Sequence, residues 1–260
     1  MYLVDSHCHI DAPEFDADRD AAILRARQAG VAHIIAPAVD AASWPTLRDV
    51  SLRHPNVLPA YGLHPMYLAN HHPDHLALLH EWIARERPVA VGECGLDHFI
   101  GDLDPARQCD FLIGQLKLAR TFDLPVILHA RRALDDVMAL LRRIGGLRGV
   151  VHSFSGSAQQ ADALFRMGFL LGIGGPATYE RARRLRGIVR TMPIESLLLE
   201  TDAPDQPDSA IRGQRNEPER LSVIAQMVAE LRDAPVETIA AQTSANAARL
   251  FRLGPIPADA

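Results

Sequence analysis

The sequence predicts a single closed (β/α)8 barrel, and three observations carry that expectation. Short apolar runs recur eight times at a regular pace along the 260 residues. Helical patterns fill most of the intervals between them. The first run ends in Asp5-Ser6-His7-Cys8-His9, without the glycine-rich phosphate loop that a doubly wound open sheet would carry there. Strands that are apolar throughout and alternate with helices make a parallel sheet buried on both faces. Eight such units in about 250 residues close into a barrel. With no linker, repeat or low-complexity stretch in the sequence, one domain over residues 1–260 is the expectation.

Taken in order, the strands are expected at 2–4, 32–36, 57–61, 89–92, 126–128, 149–151, 169–173 and 197–199. A helix at 21–29 stops at Gly30, a normal residue just past a helix end. A second at 76–86 stops before Pro88. A third at 107–121 places Phe111, Leu112, Gln115, Leu116 and Ala119 on one face at spacings of three and four. Helices at 134–143 and 159–167 end at Gly145-Gly146 and Gly168, and 219–231 and 236–251 close the chain.

Composition narrows the class. Apolar residues make up 48%, enough for a full core, and the formal net charge is −5. No apolar run approaches the roughly 18 residues of a membrane span, and the N-terminus has no basic region followed by a long apolar one. No membrane association and a cytoplasmic location are expected. Cys8, Cys94 and Cys109 are odd in number and lack Cys-x-x-Cys spacing, which fits a reducing compartment. Two counts stand out: 12 histidines, and a single lysine, Lys117.

The histidines follow strands. The first strand runs into His7 and His9, the third into His64, the fourth into Glu93, the fifth into His129, the sixth into His152 and the eighth into Asp202. In a parallel barrel those ends share one mouth, where barrel enzymes build their sites. His7 and His9, two apart in a strand, would face one cation while Cys8 points away. Six ligand candidates exceed the needs of one tetrahedral ion. Two ions sharing a carboxylate would use them all. One would take His7, His9, Glu93 and Asp202, and the other Glu93, His129 and His152. A carbamylated lysine as bridge is excluded, because Lys117 lies inside a helix pattern, so the bridge falls to Glu93.

These motifs resemble the TatD family of metal-dependent hydrolases. The matching stretches are Asp5-Ser-His7-Cys-His9, Gly62-Leu-His64-Pro65, Gly92-Glu93-Cys-Gly95-Leu-Asp97, Leu128-His129-Ala-Arg131, His152-Ser-Phe154-Ser-Gly156, Glu200-Thr-Asp202-Ala-Pro204, Arg215-Asn-Glu-Pro218 and Asn246-Ala-Ala-Arg-Leu-Phe251. Gly172-Ile-Gly-Gly175 and Asp205 are closer to the YjjV-like branch. The resemblance implies a (β/α)8 barrel, phosphodiester hydrolysis and a deoxyribonuclease acting as a 3′→5′ exonuclease. It points to magnesium or manganese for activity. The imidazole-rich set also suits zinc or iron as retained ions.

The expected chemistry is in-line attack on phosphorus by a hydroxide held between two cations. Asp202 would ligate one ion and orient the water or accept its proton. His64, outside the ligand set, would contact the phosphate or leaving group, and Arg131 a non-bridging oxygen. For Asp97 two readings stand: holding a ligating histidine, or capping the next loop. The stretch from Asn70 to His75 reads as a solvated loop, His33 as packed, and Phe154 as either a base-stacking or a core residue.

Charge is uneven. Residues 131–190 carry eleven arginines against Asp135, Asp136, Asp162 and Glu180, a local net of +7. This segment could steer a polyanion or simply form a solvated helix face. DNA ends or short nucleic acid are the expected substrates, with no obligatory protein partner. Hydrolysis of another ester or amide, such as an aminoacyl-tRNA ester, is the alternative function. A non-catalytic metal-binding barrel is the third.

Overall fold

The computed structural model describes residues 1–254; the final six residues of the expected domain, 255–260, lie outside the described residues. Eight parallel strands form one sheet in sequence order. They are β1 (Leu3–Asp5), β2 (Val31–Pro37), β3 (Val57–Tyr61), β4 (Ala90–Asp97), β5 (Val126–Arg131), β6 (Gly149–Val151), β7 (Phe169–Ile173) and β8 (Leu197–Leu199). The seam between β8 and β1 is closed by hydrogen bonds. Ser6 N–H donates to the Leu199 carbonyl at 2.9 Å and Asp202 N–H to that of His7 at 2.8 Å. The buried Asp5 carboxylate accepts from Thr201 N–H at 3.0 Å and Thr201 Oγ1 at 2.6 Å. The expected barrel is therefore the observed one.

The interior is a ring of small and branched residues, one from each strand: Val4, Ile35, Ala60, Ala90, Ile127, Val150, Leu170 and Leu198. Leu250 and Phe251 join it from helix α9 (Val236–Phe251), beside Tyr2 and Val89 at strand starts. The barrel is thus plugged at its N-terminal end. A larger apolar cluster lies between the sheet and the surrounding helices. Among the described residues no helix is long and apolar enough to cross a membrane.

The helices follow local rules. Helix α1 (Arg19–Gln28) fills the first crossover, and α3 (His75–Glu86) the third. Asp104 accepts from the N–H groups of Ala106 and Arg107 at the start of α4 (Pro105–Thr121). Helix α5 (Leu134–Ile144) has Asp135 and Asp136 in its first turn and Arg142 and Arg143 in its last, matching the helix dipole. A capping box of Ser157 and Gln160 opens α6 (Ala158–Arg166). Helix α8 (Leu221–Arg232) precedes α9.

One helix has no counterpart in the sequence expectations, and another appears there only as a solvated helix face without bounds. In α2 (Trp44–Arg53) Trp44, Leu47 and Val50 are buried at a spacing of three, behind a Pro45 that reads as a breaker but sits in the first turn. In α7 (Arg183–Thr191) four arginines and Gly187 hide a short face of Ile188 and Val189.

The strand boundaries need two further corrections. Strand β4 continues through Glu93 to Asp97, pairing Gly95, Leu96 and Asp97 with His129, Ala130 and Arg131 of β5, so neither Glu93 nor His129 ends its strand. The register shifts between Val91 and Cys94, so Glu93 sits at an irregularity in the β4–β5 ladder. The glycines at 92 and 95 make the apolar run look finished earlier. Second, β1 stops at Asp5, so His7 and His9 follow the strand and do not lie in it. Hydrogen bonds from Cys8 N–H to Ile35 O at 3.1 Å and from His9 N–H to Ala203 O at 2.8 Å keep that segment tethered, with Cys8 turned into the core.

Candidate metal centre at the barrel mouth

All six expected ligands, with His64, converge at the C-terminal end of the strands. They line or lie beneath a cavity of about 1060 Å³. Glu93 is its centre and is 1% exposed. Its two oxygens face different neighbours. Oε2 lies 3.1 Å from His7 Nε2 and 3.5 Å from His9 Nε2. Oε1 lies 2.8 Å from His152 Nε2, 3.2 Å from His129 Nδ1 and 3.0 Å from His64 Nε2. Asp202 Oδ1 sits 3.4 Å from His7 Nε2 and 3.7 Å from His9 Nε2. Groups able to hold an ion are His7, His9 and Asp202; His7, Glu93 and His152; and His64, Glu93 and His129.

Partners on the far side of each ring set what it presents. His9 Nδ1 donates to the Pro37 carbonyl at 3.0 Å, leaving Nε2 toward Glu93. His129 Nε2 donates to Asp97 Oδ2 at 2.9 Å, leaving Nδ1 toward Glu93. His64 is the reverse case. Its Nδ1 accepts the Met66 N–H at 3.1 Å, so the neutral ring carries its proton on Nε2 and presents a donor. Burial, opposed by Glu93, lowers the His64 pKa to about 4 and keeps the ring neutral. The sequence expectation has His64 at the mouth but outside the ligand set, as a contact to phosphate or leaving group. The structure brings it against the same carboxylate oxygen as His129 and His152.

Asp97 satisfies both readings at once. Oδ2 holds His129, while Oδ1 accepts from Phe99 N–H at 2.8 Å and Ile100 N–H at 3.1 Å. Burial raises its pKa, but the His129 hydrogen bond and those backbone donors outweigh this and bring it to about 2. Replacing Asp97 with alanine frees the His129 ring. We expect metal affinity to fall about 10–100-fold, read by titration against a chelating dye; unchanged affinity would remove Asp97 from the site.

The charges are mutually dependent. Burial would raise the Glu93 pKa, yet His152, His64 and His7 hold it well below the carboxylate range. Burial would lower His152 and His9, yet Glu93 lifts them to about 10 and about 9. Without metal, both rings carry protons at neutral pH. Stability from this protonation is complete below the ordinary value of 6.5 and is lost as pH rises through 9 to 10. A divalent ion must displace those protons, so metal affinity should climb over the same window. Calorimetry at pH 7.5 in buffers of differing ionisation enthalpy should show proton release on metal binding. Heats independent of buffer would contradict it.

Several supports carried no sequence signal of their role. His71, expected in a solvated loop, is fully buried, and its Nε2 donates to the His64 carbonyl at 2.8 Å. Glu200 is buried, accepts the Ser153 N–H, and lies 3.8 Å from His152 Nδ1. Gly172 makes room for it, since a Cβ there would fall 2.1 Å from Glu200 Oε2. Arg215 binds Asp18 and Glu217, tying the segment after β8 to α1. Arg215 and Glu217 stand in one of the family-like motifs, but their link to Asp18 depends on the fold. Phe154 is 2% exposed and packs in the core, and His33 stands edge-on to Tyr2. Arg131 lies at the mouth with its guanidinium 3.7 Å above the Phe99 ring.

Residues 4–252 match the family of TatD related DNases. The chain belongs to the TatD family. It is 42% identical over 254 residues to the metal-dependent hydrolase YjjV of Escherichia coli K12, covering 96% of this chain and 98% of that protein. The crystal structure of YjjV superposes with a TM-score of 0.92 at 41% identity, covering 97% and 98% of the two chains. The 3′-5′ ssDNA/RNA exonuclease TatD of Erwinia tasmaniensis is 34% identical over 259 residues, covering 96% of this chain and all of that one. This TatD-family protein is a metal-dependent hydrolase. Its cysteines are free, with Cys8 and Cys94 buried.

Proposed function

We propose that this TatD-family protein is a two-metal phosphodiesterase acting on nucleic acid ends, in the manner of a 3′→5′ deoxyribonuclease. One observation carries the reading: the two oxygens of Glu93 face separate imidazole sets. The residues fit a cation. Glu93 Oε2 is buried without a hydrogen bond. His7 Nε2 and His9 Nε2 lie 3.2 Å apart, near the roughly 3.3 Å edge of a tetrahedron with 2.0–2.1 Å metal–nitrogen distances. In this reading His7, His9, Asp202 and Glu93 would hold one ion, and His129, His152 and Glu93 the other.

Bound there, two divalent ions would supply Lewis-acid activation of a water and neutralise phosphate charge. Four imidazoles and two carboxylates suit zinc, iron or manganese for retention, and magnesium or manganese for assay. The protein supplies the rest. Asp202 is held by a left-handed backbone at φ 58°, its N–H on the His7 carbonyl and its Oδ2 on Gln206. Burial raises its pKa, against the lowering effect of His152 and His9, which suits a proton acceptor. The His64 Nε2 proton, 3.0 Å from Glu93 Oε1, would turn to the phosphate or leaving group once that carboxylate is taken up by a cation. Arg131, stacked and without an acidic partner among the described residues, grips a non-bridging oxygen. All these groups sit in strands or in the segments that directly follow them at one mouth, in keeping with a single functional unit among the described residues.

The name of the Erwinia relative supports single-stranded substrates. The test incubates metal-loaded protein with end-labelled single-stranded and duplex DNA and RNA, beside an aminoacyl-tRNA ester. A one-nucleotide ladder from the 3′ end supports the proposal, and ester turnover alone would replace it. Asp202→Asn should lower nuclease turnover about 10²–10⁴-fold with folding intact. Undiminished turnover at saturating metal would remove Asp202 from catalysis.

A further inference from the structure

The arginine-rich segment after β5 contains a feature that the metal centre does not use. Of its eleven arginines, two make ion pairs among the described residues, Arg148 with Asp123 and Arg166 with Asp162. Arg148 precedes β6 and Arg166 ends α6, so both lie toward the closed end of the barrel. The arginines at the mouth are spent differently. Arg131 and Arg132 lie over the Phe99 ring, 3.7 and 4.7 Å from its centroid, and Phe99 itself is 47% exposed. Arg184 donates to the Ser155 carbonyl at 2.8 Å, and Ser155 and Leu185 line the same cavity as Arg131. The first turn of α7, with exposed Arg183 and Arg184, therefore borders the mouth, and the exposed Arg181 precedes it.

The acids on this side are few. Asp135 accepts the Gln160 amide at 2.7 Å, Asp136 lies 3.6 Å from His98, and Glu180 is exposed. The facing wall has the opposite sign: Asp11, Glu14, Asp16 and Asp205 line the cavity from the segments after β1 and β8. Exposed guanidinium groups of like charge repel one another unless an anion lies among them. The Phe99 ring beneath Arg131 and Arg132 stays 47% exposed, which leaves it open to contact with a base.

We propose that Phe99, Arg131 and Arg132, with Arg181, Arg183 and Arg184, form a track for single-stranded nucleic acid across the β5–β7 side of the mouth. The track rests on the phosphodiesterase reading and adds a direction to it. Nucleotides on one side of the scissile phosphate lie along the arginines, with a base stacked at Phe99. The acidic wall repels a strand continuing on the other side, so the chain must end near the metals.

The test measures binding of a cleavage-resistant phosphorothioate 12-mer to metal-loaded protein by fluorescence anisotropy from low to moderate salt. The triple variant Arg181→Ala, Arg183→Ala, Arg184→Ala should bind about tenfold more weakly at low salt, with the log–log salt slope reduced by about 2. Phe99→Ala should weaken 12-mer binding about fivefold and leave inorganic polyphosphate binding unchanged. Arg183→Ala alone gives a milder effect of the same sign, and thermal midpoints report folding. Unchanged affinity and slope in the triple variant would overturn the track, as would a wild type that does not bind the 12-mer. Equal effects of Phe99→Ala on 12-mer and polyphosphate would overturn the stacking role. Wild-type hydrolysis of bis(p-nitrophenyl) phosphate is read separately. Its absence beside intact 12-mer binding refutes the phosphodiesterase reading and leaves the track standing.

Discussion

Glu93→Gln should leave a folded barrel that holds one divalent ion or none and turns over substrate on the order of 10³-fold more slowly. The side chain keeps its shape but loses the charge on which five imidazoles converge. Stabilisation of several kcal/mol by paired ions corresponds to a loss of that size. Elemental analysis of the purified variant, alongside a single-turnover assay, gives both readings. The same change removes the cause of the raised histidine pKa values. His152, lifted to about 10 by Glu93 against its burial, should then titrate far lower in the metal-free variant, visible in imidazole NMR. Full metal content with normal turnover would remove Glu93 from the bridging position.

Gly95→Ala should be among the most destabilising single-methyl changes in the chain. Gly95 has φ 155°, and a Cβ there would lie 1.9 Å from the His129 carbonyl oxygen. That contact sits in the β4–β5 ladder, between the two strands that carry Glu93 and His129. Relief requires separating the strands. The expected cost is about 3–5 kcal/mol, a fall of roughly 10 °C in the melting temperature for a chain of this size. Gly101→Ala is the control, because a Cβ there meets nothing within 4 Å. A Gly95→Ala midpoint within a degree or two of that control would refute the strain argument. If Gly95→Ala does not accumulate as folded protein while Gly101→Ala does, the conclusion is the same as for a large drop.

The residues that follow the strands made much of this centre legible. His7-x-His9, His129, His152 and Asp202 are recognisable because polar metal-binding side chains directly follow apolar runs, and that contrast is local. Glu93 was legible as a member of the set, although its strand was not. The apolar run falters at Gly92 and Gly95, while the ladder continues because those glycines permit close approach to β5. Helix α2 and the buried face of α7 carry little sequence signal for a related reason. Pro45 and the arginine run mask short buried faces whose value comes only from the sheet beneath them.

The 260 residues by themselves determined the strand–helix alternation, the single mouth and the identity of the side chains gathered there, because each depends on periods and neighbours along the chain. Tertiary structure decided what depends on distances across the barrel. Closure of β8 on β1 brings Asp202 to His7 and His9. The fold around the register shift in β4 leaves one oxygen of Glu93 facing each imidazole set. Backbone and carboxylate partners behind the rings decide that His9 and His129 turn a ring nitrogen free for metal toward Glu93 while His64 turns a proton. Those partners lie tens of residues away in the chain for His9 and His129, and only the fold places them within 3 Å.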